Sequence, residues 1–237
     1  MQHRKKFGLI LPSSNTTMEW EFQRLLPSFV SLHTSRVRLS NVNVESLQLM
    51  EEELDRAAKE VADAAVDLIC YGCTSGSLIQ GSRHEEGITK RMHEITGIPS
   101  LTTAGAVCDA LHDFNVRCLG VVTPYIEQVN EREQAFFEDR EFEVVSLSGL
   151  GLSDNIEIGA QNPETVYDLV MQISHAEADA VFISCTNLRT IEIIEKLEHV
   201  LDKPVISSNT ATLWKMLRIA GVRAGLAGYG RLLSTLS

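Results

Sequence analysis

Two cysteines stand in matching surroundings that favour thiol chemistry. Cys73 and Cys185 each follow a short apolar segment, and each is followed directly by a threonine. A cysteine at a strand-to-helix turn lies near backbone amides and the positive end of the helix, which lowers its pKa and favours the thiolate. Small residues follow both cysteines and would let backbone N–H groups approach a carboxylate closely. The pair therefore predicts a site where two thiols meet a small anionic substrate.

The two cysteines belong to an internal repeat. Residues 8–12 (GLILP) recur as residues 120–124 (GVVTP), and Cys73-Thr74 recurs as Cys185-Thr186, both at an offset of 112 residues. A third match, between the segments that begin near positions 98 and 203, has an offset of 105 because the first half carries extra residues around 80–84. Three matches in the same order indicate a duplicated chain, although unrelated α/β units also resemble one another.

The elements that position these residues alternate between strand and helix patterns. Apolar strands are predicted at residues 7–11, 68–71 and 180–183, and amphipathic helices at 52–66 and after Asn162-Pro163. Continuously apolar strands between amphipathic helices are typical of parallel sheets covered on both faces. We predict an α/β protein of two pseudo-symmetric lobes, each a parallel sheet with helices on both faces.

The duplication also predicts the lobe boundaries and the place of the site. The N-terminal lobe is expected at residues 1–116, completed by the C-terminal segment of about 210–237, and the C-terminal lobe at 117–209. Ligands of open α/β sheets bind beyond the carboxyl ends of the strands. Both cysteines lie at such ends, as do residues 13–16 and Tyr125. We therefore expect the active site between the lobes.

Charge and hydropathy exclude several classes of partner. The net charge is −11 and the one basic run covers residues 4–6, so nucleic acid is not an expected partner. No apolar run reaches the roughly 20 residues of a membrane span. The apolar stretch near the N-terminus is too short for a signal peptide, and an odd number of cysteines (five) favours free thiols. We expect a cytoplasmic protein without a membrane partner.

Other uses of the cysteines and histidines are weaker hypotheses. Cys70 and Cys73 have the CxxC spacing, but Cys70 lies inside an apolar run and is expected to be a buried strand residue. Cys108 and Cys118 are likewise expected in the core. The seven histidines have no HxxxH or HxH spacing and no second close Cys/His pair exists, so no metal site is predicted. No phosphate-binding glycine motif occurs.

Three segments resemble the signatures of one enzyme family. Residues 11–19 (LPSSNTTME), 71–76 (YGCTSG) and 184–186 (SCT) are similar to those of the maleate cis–trans isomerases, which belong to the aspartate/glutamate racemase superfamily together with the arylmalonate decarboxylases. The resemblance extends over nearly the whole chain. It implies two flavodoxin-like lobes with the site between them, no metal or organic cofactor, and a small dicarboxylate such as maleate as substrate. A homo-oligomer is also expected.

The resemblance implies a role for each site residue. Cys73 would add to the double bond as the nucleophile, and Cys185 would protonate and deprotonate the neighbouring carbon. Orientation of the substrate by hydrogen bonds is implied for Asn15, Tyr125 and Asn155. The carboxylates and the developing negative charge would be held by Thr74, Ser75, Thr186 and nearby amides.

Departures within the superfamily leave alternatives open. Arylmalonate decarboxylases have glycine where this chain has Cys73, which argues against that activity. Amino-acid racemases have two cysteines, yet they lack the SSNTT stretch, and no carboxylate that would bind a substrate ammonium is evident here. The first expectation is therefore maleate-to-fumarate isomerisation through a succinyl-cysteine adduct. A two-cysteine racemase or epimerase, a related decarboxylase and a non-catalytic dicarboxylate-binding module stay open.

Overall fold

The structure is a computed structural model that describes residues 4–223 and 225–236. The strands are β1 (Lys5–Pro12), β2 (Val30–Val37), β3 (Leu68–Tyr71), β4 (Ser100–Thr102), β5 (Cys118–Tyr125), β6 (Glu143–Leu152), β7 (Ala180–Ile183) and β8 (Val205–Ser207). The helices are α1 (Met18–Leu25), α2 (Val44–Glu51), α3 (Leu54–Ala62), α4 (Thr74–Leu78), α5 (Ser82–Thr96), α6 (Thr103–Asp113), α7 (Glu127–Asp139), α8 (Asn155–Gly159), α9 (Pro163–Gln172), α10 (Ile194–Leu201), α11 (Ser208–Ile219) and α12 (Arg231–Ser234). None of these helices is both long and apolar enough to cross a bilayer.

The strands form two four-stranded parallel sheets with the same topology. The first sheet has the order β2-β1-β3-β4 and the second the order β6-β5-β7-β8. In the second sheet, β5 thus occupies the position that β1 has in the first, and β6, β7 and β8 occupy the positions of β2, β3 and β4. The predicted α/β fold of two pseudo-symmetric lobes is confirmed, and the repeat seen in the sequence is a repeat of sheet topology.

Both faces of each central strand are buried, as the continuous apolar patterns predict. Along β1, Leu9 and Leu11 pack in one hydrophobic cluster, and Ile10 packs in a second cluster on the opposite face. Along β5, Val121 belongs to the first cluster and Val122 to the second. Neighbouring residues of a strand point to opposite faces, so two layers of helices are needed to cover them. Because both clusters include residues of both sheets, the halves share their cores.

The C-terminal segment packs against the first half of the chain. The Thr212 hydroxyl of α11 donates a hydrogen bond to Thr103 on α6 (3.1 Å), and Lys215 forms an ion pair with Asp109 on the same helix (2.8 Å). These contacts favour the predicted completion of the N-terminal lobe by residues 210–237. The lobe boundaries themselves stay a prediction.

Three local predictions meet different outcomes. The helix predicted at 52–66 begins at Leu54 and ends at Ala62, and Ala65 then adopts a positive φ of 51° that turns the chain towards β3. The predicted helix start at Asn162-Pro163 is confirmed, with Asn162 as N-cap. Cys118 was expected in the core but is only half-buried, because it opens β5 at the sheet margin near Glu143.

Gly8 provides a test of how closely helix and sheet approach. A Cβ atom at Gly8 would lie 2.3 Å from Cγ1 of Val61 and 3.1 Å from the Leu68 carbonyl oxygen. At the equivalent Gly120 the nearest atom is the flexible end of Ile173, at 3.0 Å. Gly8→Ala is expected to lower the free energy of unfolding by about 1–3 kcal/mol, since α3 must move away from β1.

Urea unfolding of Gly8→Ala and of the matched Gly120→Ala measures this difference. Gly120→Ala is expected to lower the free energy of unfolding less, because the end of the Ile173 side chain can shift. Equal losses in the two variants would contradict the close approach of α3 to β1.

Candidate active site

Cys73 follows the end of β3 and caps helix α4. Its backbone is extended (φ −142°, ψ 114°), and its Sγ accepts a hydrogen bond from the Gly76 amide (3.3 Å). The Ser75 hydroxyl lies 3.8 Å from the same sulfur. The first amides of a helix have no partner within the helix, so an acceptor at this position is stabilised. The Cys73 sulfur therefore occupies the place that an anionic or polar N-cap usually takes.

Cys185 occupies the equivalent place after β7, but its backbone differs. Its φ is +97°, in a region that side-chain-bearing residues rarely adopt. The Cys185 amide donates to the Ser208 hydroxyl (3.0 Å), and its Sγ accepts from the Asn187 amide (3.3 Å). Strained backbone persists only where the surroundings enforce it, and it concentrates at functional sites. The strain favours a functional role for Cys185.

Burial dominates the acidity of both thiols. It raises the pKa of Cys73 to about 11, against the opposing effects of the Gly76 amide and the Ser75 hydroxyl. It raises the pKa of Cys185 to about 12, and there the Asn187 amide and the Tyr125 hydroxyl oppose it. The sequence-based expectation of a lowered pKa is therefore wrong for the free protein. The donors expected at a helix start are present, but removing water from the thiolates outweighs them.

Two equivalent threonines form hydrogen bonds between the two halves of the protein. The Thr74 hydroxyl donates to the Ser208 hydroxyl (2.8 Å), and the Thr186 hydroxyl donates to the Gly72 carbonyl oxygen (3.2 Å). Ser208 also accepts from the Cys185 amide, so one hydroxyl joins the two cysteine loops. Both threonine hydroxyl protons are used in these bonds. If Thr74 and Thr186 contact a substrate carboxylate, they must therefore do so through their backbone amides.

Asn15 lies in the loop between β1 and α1 and also joins the halves. Its Oδ1 accepts hydrogen bonds from the amides of Thr17 and Met18 (both 3.0 Å), which caps α1. Its Nδ2 donates to the Thr186 hydroxyl (3.0 Å). Asn15 is therefore a helix cap with one remaining amide proton, which is the group it can offer to a ligand.

Asn155 lies where the loops after β2 and β6 meet. Its amide donates to the Ser40 carbonyl oxygen (2.9 Å), and its side chain donates to the Ser14 hydroxyl (2.8 Å). Beside it, the Val42 amide donates to the Ser153 carbonyl oxygen (2.7 Å), so the two loops pair in antiparallel fashion. This pairing places Asn155 next to the 13–17 loop that carries Asn15.

Tyr125 ends β5 and directs its phenol toward Cys185. Its amide donates to the Thr123 hydroxyl (3.0 Å), and its carbonyl oxygen accepts from Asn130 (3.2 Å). Burial raises the pKa of the Tyr125 phenol, and the nearby Cys185 and Glu133 raise it further. The phenol therefore keeps its proton and acts as a donor at neutral pH.

The structure brings all eight predicted site residues into one buried network. Each is at most 5% exposed, from Thr74 and Tyr125 at 1% to Cys185 at 5%. Their assignment to catalysis or binding stays a prediction. The described residues contain no group of three or more His, Cys, Asp or Glu side chains that could hold a metal ion.

Sequence reasoning missed several residues that shape the network. Asn187 accepts from the Thr16 amide (2.8 Å) and donates to the Asn155 carbonyl oxygen (2.6 Å), and Ser208 joins the two cysteine loops. The repeat offset of 105 residues pairs Ser208 with Thr103 and could have marked it. The offset of 112 residues pairs Asn187 with Ser75, a predicted site residue, and could have marked it as well.

Glu21 is a buried carboxylate that anchors the loop after Cys185. It accepts from the Thr190 amide (2.8 Å) and from the side chain of Asn209 (2.7 Å). Burial raises its pKa to about 7, and these donors oppose the rise. Asn209 also donates to the Thr186 carbonyl oxygen (3.2 Å), so α1, α11 and the cysteine loop are held as a unit.

Comparisons with known proteins find relatives over nearly the whole chain. The family model described as arylmalonate decarboxylase matches residues 7–233. The maleate isomerase of Alcaligenes faecalis is 31% identical over 243 residues, which cover 97% of this chain and 96% of the relative.

Two solved structures have a TM-score of 0.94 to this chain. One is an alanine variant of the maleate isomerase Iso from Pseudomonas putida S16 with maleate, at 30% identity, covering 97% of both chains. The other is a cysteine-to-serine variant of the Nocardia farcinica maleate cis–trans isomerase with a covalently bound succinylcysteine intermediate, at 27% identity, covering 98% of both chains.

The bridging hydroxyl of Ser208 is directly testable. Ser208→Ala removes the acceptor of both the Thr74 hydroxyl and the Cys185 amide and leaves these buried donors unpaired. The free energy of unfolding is expected to fall by about 2–6 kcal/mol, which is about 1–3 kcal/mol for each unpaired donor. Ser28→Ala, at an exposed turn, serves as the control and is expected to change it by less than about 0.5 kcal/mol. Denaturant unfolding of both variants measures this free energy. If Ser208→Ala does not lower it, the bridging role of the Ser208 hydroxyl is contradicted.

Proposed function

The chain belongs to the family of maleate isomerases and arylmalonate decarboxylases, and from that membership we propose that it isomerises a small unsaturated dicarboxylate. The reaction we propose is conversion of maleate to fumarate without a cofactor. The observation that carries the proposal is the pair Cys73 and Cys185, held at equivalent strand ends and joined through Ser208. Relatives described as maleate isomerases, one of them with maleate and another with a succinylcysteine intermediate, support the substrate class.

The first half of the reaction is addition. Because the pKa of Cys73 is about 11, its thiol must first release its proton to solvent. The resulting thiolate attacks C2, a C–S bond forms, and the electron pair of the C2–C3 double bond moves to C3. Cys185, as the thiol, gives its proton to C3 and becomes a thiolate. The Asn187 amide and the Tyr125 hydroxyl are the donors that lower the pKa of Cys185 and stabilise this second thiolate. The product of this half is a succinyl thioether on Cys73.

The second half is rotation followed by elimination. C2 and C3 are now joined by a single bond, so the C3 carboxylate can rotate by about half a turn. The Cys185 thiolate removes the C3 proton, the double bond re-forms and the C2–S bond breaks, which regenerates the Cys73 thiolate. The starting protonation states are restored, and no electron leaves the substrate.

Neutral donors suit the binding of a dianion here. The first amides of α4, at Thr74 and Ser75, are aimed at the Cys73 side of the site, and Asn15 and Asn155 contribute side-chain amides. We assign the substrate carboxylates to these groups. Preorganised N–H groups in a water-free site stabilise developing negative charge without their own desolvation cost. Assembly into a homo-oligomer stays a prediction.

Decarboxylation is the second candidate, since the matching family model carries that description. A decarboxylase of this type would release CO2 from a disubstituted malonate and needs one thiol to protonate the product. Cys73 has no part in that chemistry, and its presence favours isomerisation.

Proton NMR of the protein with maleate in deuterated water tests the reaction. Fumarate is expected to accumulate, and its absence would rule out maleate isomerisation. A racemase or epimerase would instead place deuterium on the α-carbon of a chiral carboxylic acid supplied in place of maleate. CO2 release from an arylmalonate would indicate a decarboxylase, and binding of maleate without turnover a binding module.

Mass spectrometry tests the division of labour between the thiols. Cys185→Ser is expected to slow proton transfer by at least about 100-fold and to accumulate an adduct on Cys73 with the mass of one maleic acid. Cys73→Ala is expected to lose all turnover and form no adduct. Cys70→Ala is the control: Cys70 lies in the core of β3, so its loss costs stability but leaves turnover. If Cys73→Ala retained turnover, the assignment of Cys73 as the nucleophile would be refuted.

A further inference from the structure

Glu133 is a buried acid for which the proposed reaction has no use. It lies on α7, its side chain is fully buried, and neither carboxyl oxygen makes a hydrogen bond with any residue that the structure describes. An ionised carboxylate in such a place costs several kcal/mol. Burial accordingly raises its pKa to about 8, so Glu133 is a neutral acid at pH 7.

Glu133 lacks the hydrogen bonds that its counterpart in the internal repeat makes. Glu133 and Glu21 are equivalent at the offset of 112 residues, but Glu21 accepts from the Thr190 amide and from Asn209. In the first half, the residue equivalent to Thr190 is the helical Leu78, and Ala104 stands where Asn209 stands in the second half. Glu133 has thus lost both kinds of partner that fix its counterpart.

What Glu133 faces is the Cys185 side of the site. The Ser184 hydroxyl is also buried. It lies near enough to the Glu133 carboxyl to lower its pKa, but outside hydrogen-bond geometry. Ser184 directly precedes Cys185, and its amide is fixed to the Val122 carbonyl oxygen (2.8 Å). Two buried polar groups without hydrogen-bond partners therefore lie close together, and one of them, Ser184, directly precedes Cys185.

The same carboxyl acts on the donor that serves Cys185. A charge on Glu133 raises the pKa of Tyr125, as do charges on Cys185 and Cys73. The end of the site at Tyr125 must hold a thiolate and a dianionic substrate during turnover. A third negative charge there would repel both.

We propose that Glu133 is a positioning residue that stays protonated in the active protein, donates a hydrogen bond to the Ser184 hydroxyl, and so holds the start of the Cys185 turn without adding charge. This inference rests on the proposed function for its substrate. Neutral Glu133 aligns Cys185 for proton transfer at C3. Ionised Glu133 loses the donor and adds a repulsive charge.

Few other titratable groups act near Glu133. From β5 it faces the Tyr125 phenol, beyond which lie the thiols of Cys185 and Cys73. Helix α4 has no acidic or basic side chain, and β6 has only Glu143 at its start. The ion pair of Arg140 with Glu85 lies past the end of α7, about two helical turns away. An ionisation near pH 8 that disappears with Glu133 can therefore be assigned to it.

The sign of the pH effect follows from the raised pKa. Between the ordinary value of 4.5 and about 8, folded Glu133 holds a proton that the unfolded chain has released. Its contribution to stability is full below pH 4.5 and is lost as pH rises towards 8. Activity follows the same acid form, which is present at pH 6.5 and absent at pH 9.5.

The test compares kcat/KM for maleate between Glu133→Gln and the unchanged protein at each pH. Glutamine keeps a neutral donor, so the ratio is expected to be near one at pH 6.5 and to rise at least about tenfold by pH 9.5, with a midpoint near 8. Glu133→Leu, without a donor, is expected to lower kcat about tenfold at pH 6.5. Glu198→Gln, a change at a buried acid bonded to the Val205 amide and remote from both thiols, is expected to give a flat ratio.

A flat ratio for Glu133→Gln would overturn the proposal, as would loss of activity in folded Glu133→Gln at pH 6.5. A second measurement keeps the outcome separate from the proposed function. In the Cys73→Ser background, the rate of Cys185 alkylation by iodoacetamide is followed by peptide mass spectrometry. Adding Glu133→Gln is expected to leave this rate unchanged at pH 6.5 and to raise it about threefold at pH 9.5. If this shift is seen but the unchanged protein does not turn over maleate, only the proposed substrate is refuted. If Glu133→Gln leaves the alkylation rate unchanged at both pH values, the role of Glu133 is refuted.

Discussion

The fold around the site depends on one hydroxyl group. Ser208 accepts hydrogen bonds from the Thr74 side chain of the first half and from the Cys185 backbone of the second. The reciprocal bond from Thr186 to the Gly72 carbonyl oxygen closes the link from the other side. Buried donors that lose such an acceptor cost about 1–3 kcal/mol each, so the positions of both cysteine loops are coupled energetically. The two thiols lie close enough for a charge on Cys73 to raise the pKa of Cys185, and this coupling between the loops helps to hold them there.

Desolvation decides the electrostatics of everything that the link encloses. It raises the pKa of both thiols and of the Tyr125 phenol, which leaves a buried site whose donors are neutral. Amides opposite each sulfur partly compensate, and they do so only where a thiolate forms. Such a site disfavours resting charge but would accommodate the charge of the proposed dianionic substrate, because the donors are already oriented.

The sequence predicted the two thiols from the repeat and the other site residues largely from the family resemblance, and it missed partners that only the packing reveals. Cys73 and Cys185 could be paired because strand-end position and offset are properties of the chain itself. The cap that Asn15 forms on α1 could not be told apart from a ligand contact, since both use the same side-chain amide. Glu133 lies in a helix with many charged residues, and nothing in its spacing distinguishes a buried acid from a solvated one. Burial of that kind is set by which helix packs on which sheet, and only the tertiary structure reports it.

The two thiols differ in environment even though the repeat makes them equivalent. After Cys73 the chain enters helix α4, and the Gly76 amide faces the sulfur from within that helix. After Cys185 the chain makes a strained turn with φ of +97°, and the donors are the Asn187 amide and the phenol of Tyr125. In the proposed reaction, the first arrangement keeps amides beside the sulfur that bonds to carbon and leaves again. The second places a hydroxyl donor beside the sulfur that only exchanges a proton. Duplication therefore accounts for two thiols, and the loss of symmetry in the turns that follow them would account for the two proposed roles.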